Sequence, residues 1–271
     1  MNACPDLLRF RTVFISDTHL GTRDARTDLL TDFLQSVSCD NLFLVGDIID
    51  CWRLRRSWYW DEAHDEVVRL ILLLAQRGVA VTYVPGNHDE GLRNWLKFAP
   101  ALAGIQLEPS ATHVTASGQR LLVLHGDEFD SVVRYGKLTA FLGDHAYDAA
   151  LVLNRWFNDF RRRRGYPYWS LSHWLKRQVK GAVSAIDRFE DALAAYARKE
   201  DFDGVVCGHI HRAQMRRING VLYLNTGDWV ESCTALVEHE DGRLELIDWS
   251  ARGERSVPAP RPWTPALVHQ A

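Results

Sequence analysis

Five short blocks combine residue types that bind and activate small ligands. They are Asp17-Thr18-His19, Gly46-Asp47-Ile48-Ile49-Asp50, Gly86-Asn87-His88-Asp89, His125-Gly126-Asp127 and Gly208-His209-Ile210-His211. Carboxylate, imidazole and amide donors in one set suit a borderline divalent ion such as Mn²⁺, Fe²⁺ or Zn²⁺. No cysteine stands in a ligand-type position, which argues against a structural zinc centre. Gly46, Gly86, Gly126 and Gly208 each flank a candidate ligand. At such places the backbone must turn sharply, often with positive φ, and approach the bound ion closely. Taken singly each block is weak, because an Asp at a strand end is usually a turn former or a helix cap. Their specificity lies in occurring together, in order, across residues 17–211.

The elements that must position these blocks are legible around them. Residues 12–17 (TVFISD), 41–47 (NLFLVGD) and 79–84 (VAVTYV) are apolar runs of strand character. Residues 27–38 and 61–77 read as helices, the second with Val67, Leu70, Ile71 and Leu74 on one face. Strands alternating with helices predict a parallel sheet with right-handed crossovers. Functional groups then collect beyond the carboxyl ends of the strands. Residues 112–125 predict a hairpin around Ser117-Gly118, and 202–207 a short buried strand. Asn219-Gly220 and Asp241-Gly242 are hairpin turns joining strand-like runs at 213–218, 221–225, 233–239 and 243–249. Every block follows such a run, so all five are expected on one rim. A helical stretch occupies about 131–199, and residues 251–271, rich in Pro and Arg, are expected to be disordered.

A chain of 271 residues with 46% hydrophobic content can bury one large core. A net charge of −3 and a pI near 6.4 argue against general nucleic-acid binding. Five scattered cysteines without a CxxC pair read as reduced thiols of a cytoplasmic protein. The opening MNACPDLLRFRTVFISD lacks the layout of a signal peptide. No apolar run approaches the ~20 residues of a bilayer span, so any membrane contact must be peripheral.

The pattern D-x-H, G-D-x-x-D, G-N-H-D, H-G-D, G-H-x-H resembles the calcineurin-like metallophosphoesterase superfamily over roughly residues 12–250. The resemblance implies a four-layer α/β/β/α sandwich, spanning residues 10–250, with a dinuclear site. It implies that Asp17, His19 and His211 hold one metal, that Asn87, His125 and His209 hold the other, and that Asp47 bridges them. It also implies that His88 protonates the leaving oxygen or stabilises the transition state, with Asp50 orienting His88. A non-catalytic scaffold would be expected to lose ligands, and none of the seven is missing.

Within 151–180, eight basic residues face the single acidic Asp159, and Trp156, Tyr166, Tyr168, Trp169 and Trp174 lie among them. Leu175, Val179, Ala182, Ile186, Phe189, Leu193 and Tyr196 recur at helical spacing. A helical cap with a solvated Arg run explains the helices, but not the concentration of charge and aromatics. Basic residues with interfacial aromatics are what peripheral contact with an anionic membrane surface requires.

This insertion, placed after H-G-D, resembles that of the UDP-2,3-diacylglucosamine pyrophosphatases of lipid A synthesis. The resemblance implies a lid over acyl chains at 131–199 and Mn²⁺-supported cleavage to UMP and 2,3-diacylglucosamine 1-phosphate. It implies work at the cytoplasmic face of the inner membrane, with Asp130, Lys176 and Lys180 touching phosphate or sugar. The alternative is the same chemistry on another phospholipid, a nucleotide or a phosphoprotein. Two positions depart from that branch: His88 stands where its members often write Arg, and Cys207 where they often write His. Trp52, Trp58, Tyr59 and Trp60 either wall a nucleobase or acyl chain or pack in the core.

Overall fold

The structure, a computed structural model, describes residues 7–95, 101–131 and 171–250, without the side chains of 131 and 171–183. The first half runs β1 (Leu8–Ile15), α1 (Thr27–Ser36), β2 (Val37–Val45), α2 (Cys51–Arg56), α3 (Glu62–Gln76), β3 (Ala80–Val84) and α4 (Gly91–Trp95). Four short strands follow: β4 (Ala101–Leu102), β5 (Ile105–Leu107), β6 (Ala111–Val114) and β7 (Arg120–Val123). A 3₁₀ turn (Asp127–Ser131) comes next. The second half holds α5 (Leu171–Lys199), β8 (Gly204–Cys207), β9 (Gln214–Ile218), β10 (Val221–Asn225), β11 (Thr234–Glu238) and β12 (Leu244–Asp248).

Two sheets result, ordered β12-β11-β1-β2-β3-β5-β4 and β6-β7-β8-β10-β9. Side chains alternate across each strand, so one run of sequence feeds two cores. On β1, Val13 and Ile15 face α1 and α3, while Phe14 faces the second sheet. On β2, Leu42 and Leu44 point outward and Phe43 and Val45 inward. On β7 and β8, Val123 and Val206 meet that inner layer, while Leu122, Val205 and Cys207 lie under α5. The product is the α/β/β/α sandwich, with a helix layer on each outer face.

The first sheet is parallel through β1, β2, β3 and β5, as alternation with helices predicts. It is not wholly parallel, because the β11–β12 hairpin adds to β1 antiparallel. Strand β2 begins at Val37, earlier than its apolar run, since Val37–Cys39 pair with Leu8–Phe10. The expected turns at Asn219-Gly220 and Asp241-Gly242 stand between β9 and β10 and between β11 and β12. Their residues Asn219, Gly220 and Gly242 adopt positive φ.

The histidines outside the blocks have structural employment. His64 completes the capping box of α3 with Asp61, its Nδ1 2.6 Å from the Asp61 carboxylate. Buried His113 lies 2.6 Å from Glu238, which also accepts from Thr12 and Arg11 and so clips the two sheets together. His239 pairs with Glu245. His145 and His269, the aromatic and Arg-rich stretch before residue 171, and the tail from 251 lie outside the described residues, as does the side chain of His173.

Helix α5 is buried along Ala185, Phe189, Leu193, Ala194 and Ala197. Tyr196, expected on that stripe, is exposed instead. A 3.6-residue period carries the stripe through 189, 193 and 197, which leaves 196 facing outward beside Phe129. Residues 185–197 thus form part of the sandwich. Leu193→Ala is expected to cost about 2–5 kcal/mol, measured as a lower urea midpoint with unchanged slope. An unchanged midpoint would mean that α5 is not part of the cooperative core.

Candidate metal centre

Asp17, Asp47, Asn87, His125 and His209 each lie two or three residues beyond the ends of β1, β2, β3, β7 and β8. Five of the seven candidate ligands hold positive φ: Asp17 (51°), His19 (47°), Asp47 (53°), His209 (68°) and His211 (52°). Non-glycine residues pay about 1–3 kcal/mol each for such conformations. Nothing in the residue types announced this feature, although Asp and His tolerate the region better than most. Backbone bonds hold the conformation. Asp17 N–H donates to Gly46 O (3.0 Å), His19 N–H to Asp47 O (3.0 Å) and Trp229 N–H to Asp17 O (3.1 Å).

Two glycines allow the close approach by lacking a side chain. A Cβ on Gly86 would stand 2.2 Å from Asp47 Oδ1, and one on Gly208 would stand 2.3 Å from Asp17 Oδ2. Neither needs positive φ, which the sequence pattern suggested; Gly46 and Gly126 do adopt it, at 78° and 115°.

The structure brings the candidates into two sets. In each of Asp17, His19, His211 and Asp47, His125, His209, the ligand atoms lie within 4.8 Å of one another. His19, Asp47 and His88 form a third such group, which joins the two. Eight buried side-chain N or O atoms among the described residues lack a hydrogen-bond partner, and three of them, Asp17 Oδ1, Asn87 Oδ1 and His125 Nε2, converge here. A buried polar atom without a partner is costly. All three belong to candidate ligands, and all are lone-pair donors, so this chain fits a bound cation pair.

Surrounding groups aim these atoms. His125 Nδ1 donates to Val45 O (2.9 Å), leaving Nε2 for the site. Asp50 accepts from His19 Nδ1 (3.2 Å) and caps α2 by accepting from Arg53 N–H (2.8 Å). It also lies 3.0 Å from His88 Nδ1, so one carboxylate stands beside both imidazoles. His88 N–H donates to Asp47 Oδ1 (2.8 Å), while His88 Nε2 lies 3.9 Å from Asp47 Oδ2.

Sequence reasoning passed over several supports. Ser16 donates to Asp17 and bonds Thr226. Asn225 Nδ2 donates to Gly208 O (2.7 Å), so the Asn225–Asp228 turn backs the histidine loop. Buried Asp89 accepts from Ile48 N–H, Gly86 N–H and Tyr83 hydroxyl. Arg93 grips Asp127 with two nitrogens and Pro85 O with one, tying the third block to the fourth. Only a fold that brings these loops together reveals such pairs. Asp130, expected at phosphate or sugar, has Oδ1 2.7 Å from His209 Nε2. Lys176 and Lys180 lie on α5, but their side chains lie outside the described residues. Cys207 is buried, and burial pushes its thiol up to about 12, so it stays an uncharged packing group. Trp60 packs against the first core, whereas Trp52 and Trp58 are exposed.

Residues 10–213 match the calcineurin-like phosphoesterase family. The chain belongs to that family. A UDP-2,3-diacylglucosamine hydrolase from Xanthomonas campestris is 35% identical over 252 residues, covering 85% of this chain and 96% of that protein. Another from Neisseria gonorrhoeae is 28% identical over 225 residues, covering 80% and 88%. Among solved structures, Yfce, a phosphoesterase from E. coli, aligns over 88% of this chain and 99% of its own, at 14% identity and a TM-score of 0.41. This phosphoesterase is therefore a metal-dependent phosphohydrolase, with His and Asp groups able to hold divalent ions. Among the described residues no helix is long and apolar enough to cross a membrane.

The electrostatics of the phosphoesterase site follow from its buried carboxylates. Burial alone would raise Asp17, but His211, His125 and His19 reverse this and hold it well below the usual carboxylate range. Burial would lower His125, but Asp47 and Asp17 push it up to about 10. Desolvation opposes His211 likewise, and Asp17, 3.2 Å away, pushes it up to about 9. Both shifts favour protonated imidazoles at the nitrogens that a cation bound here would compete for. Below these raised values metal binding must expel protons, so affinity rises with pH. Titrating metal-free protein with Mn²⁺ near pH 7 is expected to release about two protons, read with a pH indicator in weak buffer. Saturation without proton release would rule out these imidazoles as ligands.

Proposed function

We propose that the enzyme hydrolyses the pyrophosphate of UDP-2,3-diacylglucosamine to UMP and 2,3-diacylglucosamine 1-phosphate, a step of lipid A synthesis, at the cytoplasmic face of the inner membrane. The observation that carries the reading is the 35% identity over 96% of a UDP-2,3-diacylglucosamine hydrolase, in a chain that keeps every candidate ligand. Asp17, His19 and His211 would hold one divalent ion and Asn87, His125 and His209 a second, with Asp47 shared. Mn²⁺ is the ion best suited, with Fe²⁺ or Zn²⁺ compatible with the same donors. Such a pair supplies charge neutralisation at the phosphoryl oxygens and a water nucleophile at neutral pH.

The chain's own residues do the rest. Asp50 fixes His88 through Nδ1, leaving Nε2 directed toward the shared carboxylate of Asp47. Burial pulls His88 down, but Asp50 and Asp47 more than offset it and raise the imidazole above its ordinary value. A protonated His88 is suited to give its Nε2 proton to the leaving phosphate oxygen. Trp52 lies against His88, with ring centroids 4.3 Å apart and the planes tilted by 33°. The basic insertion supports a substrate with acyl chains and a peripheral contact with anionic lipid. His88 in place of the branch's usual Arg favours keeping a second reading, the same hydrolysis on a different phosphorylated lipid or nucleotide.

Mn²⁺-supported release of UMP from UDP-2,3-diacylglucosamine is the direct test. Equal turnover of soluble nucleotides, with indifference to the diacyl substrate, would favour the second reading. Asp47→Ala is expected to abolish turnover and metal loading together; retained activity contradicts its bridging place. His88→Ala is expected to lower kcat about 10²–10⁴-fold with metal content nearly unchanged. Loss of metal from that variant would make His88 a ligand, as its grouping with His19 and Asp47 allows.

A further inference from the structure

Helix α2 (Cys51–Arg56) starts directly after Asp50, beside the candidate metal centre, and buries no residue. Its N-cap is Asp50, which steers His19 and His88, and its second residue, Trp52, stacks on His88. Leu54 anchors it, packed where a side chain on Gly21 would stand 2.7 Å away. The rest of the helix faces outward: Arg53, Arg55 and Arg56 are exposed, Trp52 is 38% exposed and Trp58, just beyond, is 75% exposed.

The charges on this ridge are unspent. Several arginines among the described residues have a carboxylate partner, such as Arg9 with Asp40, Arg26 with Asp28, Arg69 with Glu66 and Arg93 with Asp127. Arg53, Arg55 and Arg56 have no ion-pair or side-chain hydrogen-bond partner among the described residues. No acidic residue occurs between Cys51 and Trp60. A large exposed indole is unusual on a surface that meets only water. Unpaired guanidiniums beside exposed indoles suit a plane that is anionic at its surface and apolar just beneath it.

We propose that the α2 ridge, Arg53, Arg55, Arg56 and Trp58, docks the enzyme on an anionic phospholipid surface. Docking there brings the mouth of the metal cleft to the level of the headgroups, because the same helix carries Trp52 over His88. The proposal rests on the reading that the substrate is an amphiphile held in a bilayer. It draws on none of the basic residues at 151–180.

The test is sedimentation of full-length, Mn²⁺-loaded enzyme with vesicles of phosphatidylethanolamine and phosphatidylglycerol, compared with pure phosphatidylcholine. Wild type is expected to favour the anionic vesicles, with binding that weakens as salt rises. The triple variant Arg53→Ser/Arg55→Ser/Arg56→Ser is expected to lose partitioning on the order of a hundredfold, and Trp58→Ser to lose part of it. The triple Arg→Lys variant is expected to keep it. Hydrolysis of a small chromogenic phosphodiester by the serine triple variant is expected to match wild type, which excludes misfolding. Undiminished binding of that variant, or equal binding of wild type to neutral vesicles, overturns the proposal. If binding follows the arginines but detergent-dispersed UDP-2,3-diacylglucosamine is not cleaved, the substrate reading fails and the docking surface stands.

Discussion

Two carboxylates buried at neighbouring strand ends are the constraint around which this molecule is arranged. Asp17 and Asp47 are almost wholly removed from water. Isolated charges so placed would be prohibitively costly, and the usual outcome would be protonation. Here imidazoles converge on them instead: His211 and His19 near Asp17, and His125 and His88 near Asp47. The buried carboxylates raise His211, His125 and His88 above the ordinary imidazole value, which favours their protonated forms in a metal-free protein. The same positions suit cations, and the partnerless atoms of Asp17, Asn87 and His125 mark where direct neutralisation is missing. Left-handed backbone at five ligand positions is the local cost of crowding such groups together.

The sandwich makes that crowding possible. Parallel strands β1, β2 and β3 deliver three blocks to one rim of the first sheet, and β7 and β8 deliver two from the second. The sheets meet through Phe14, Phe43, Val123 and Val206, so the rims stand opposite each other. Cross-links then lock one loop to another. His125 reaches Val45 O, His209 N–H reaches Asp17, and Arg93 joins the third block to Asp127. Phe189 of α5 stands where a Cβ on Gly126 would lie only 2.9 Å away, so the outer helix also bears on the ligand loop.

Asp50 links chemistry to surface. One carboxylate steers His19, holds His88 and caps α2. The surroundings of His88 and the start of the helix that carries the exposed Arg and Trp ridge therefore share one side chain.

Much of this was legible in the chain itself. Residue types within the five blocks define a mixed oxygen and nitrogen donor set, and their order carries the family. Alternation of apolar residues marks the central strands, because burial on two faces leaves a local, period-two trace. Other features have no local trace. Asp17 and His209 are 192 positions apart, and only strand pairing places the backbone of one on the carboxylate of the other. The outward turn of Tyr196, the double duty of Asp50, the contact of Asp130 with His209 and the left-handed ligand backbone were all decided by tertiary structure. Each depends on which surfaces meet, and a linear sequence records the donors without recording the distances between them.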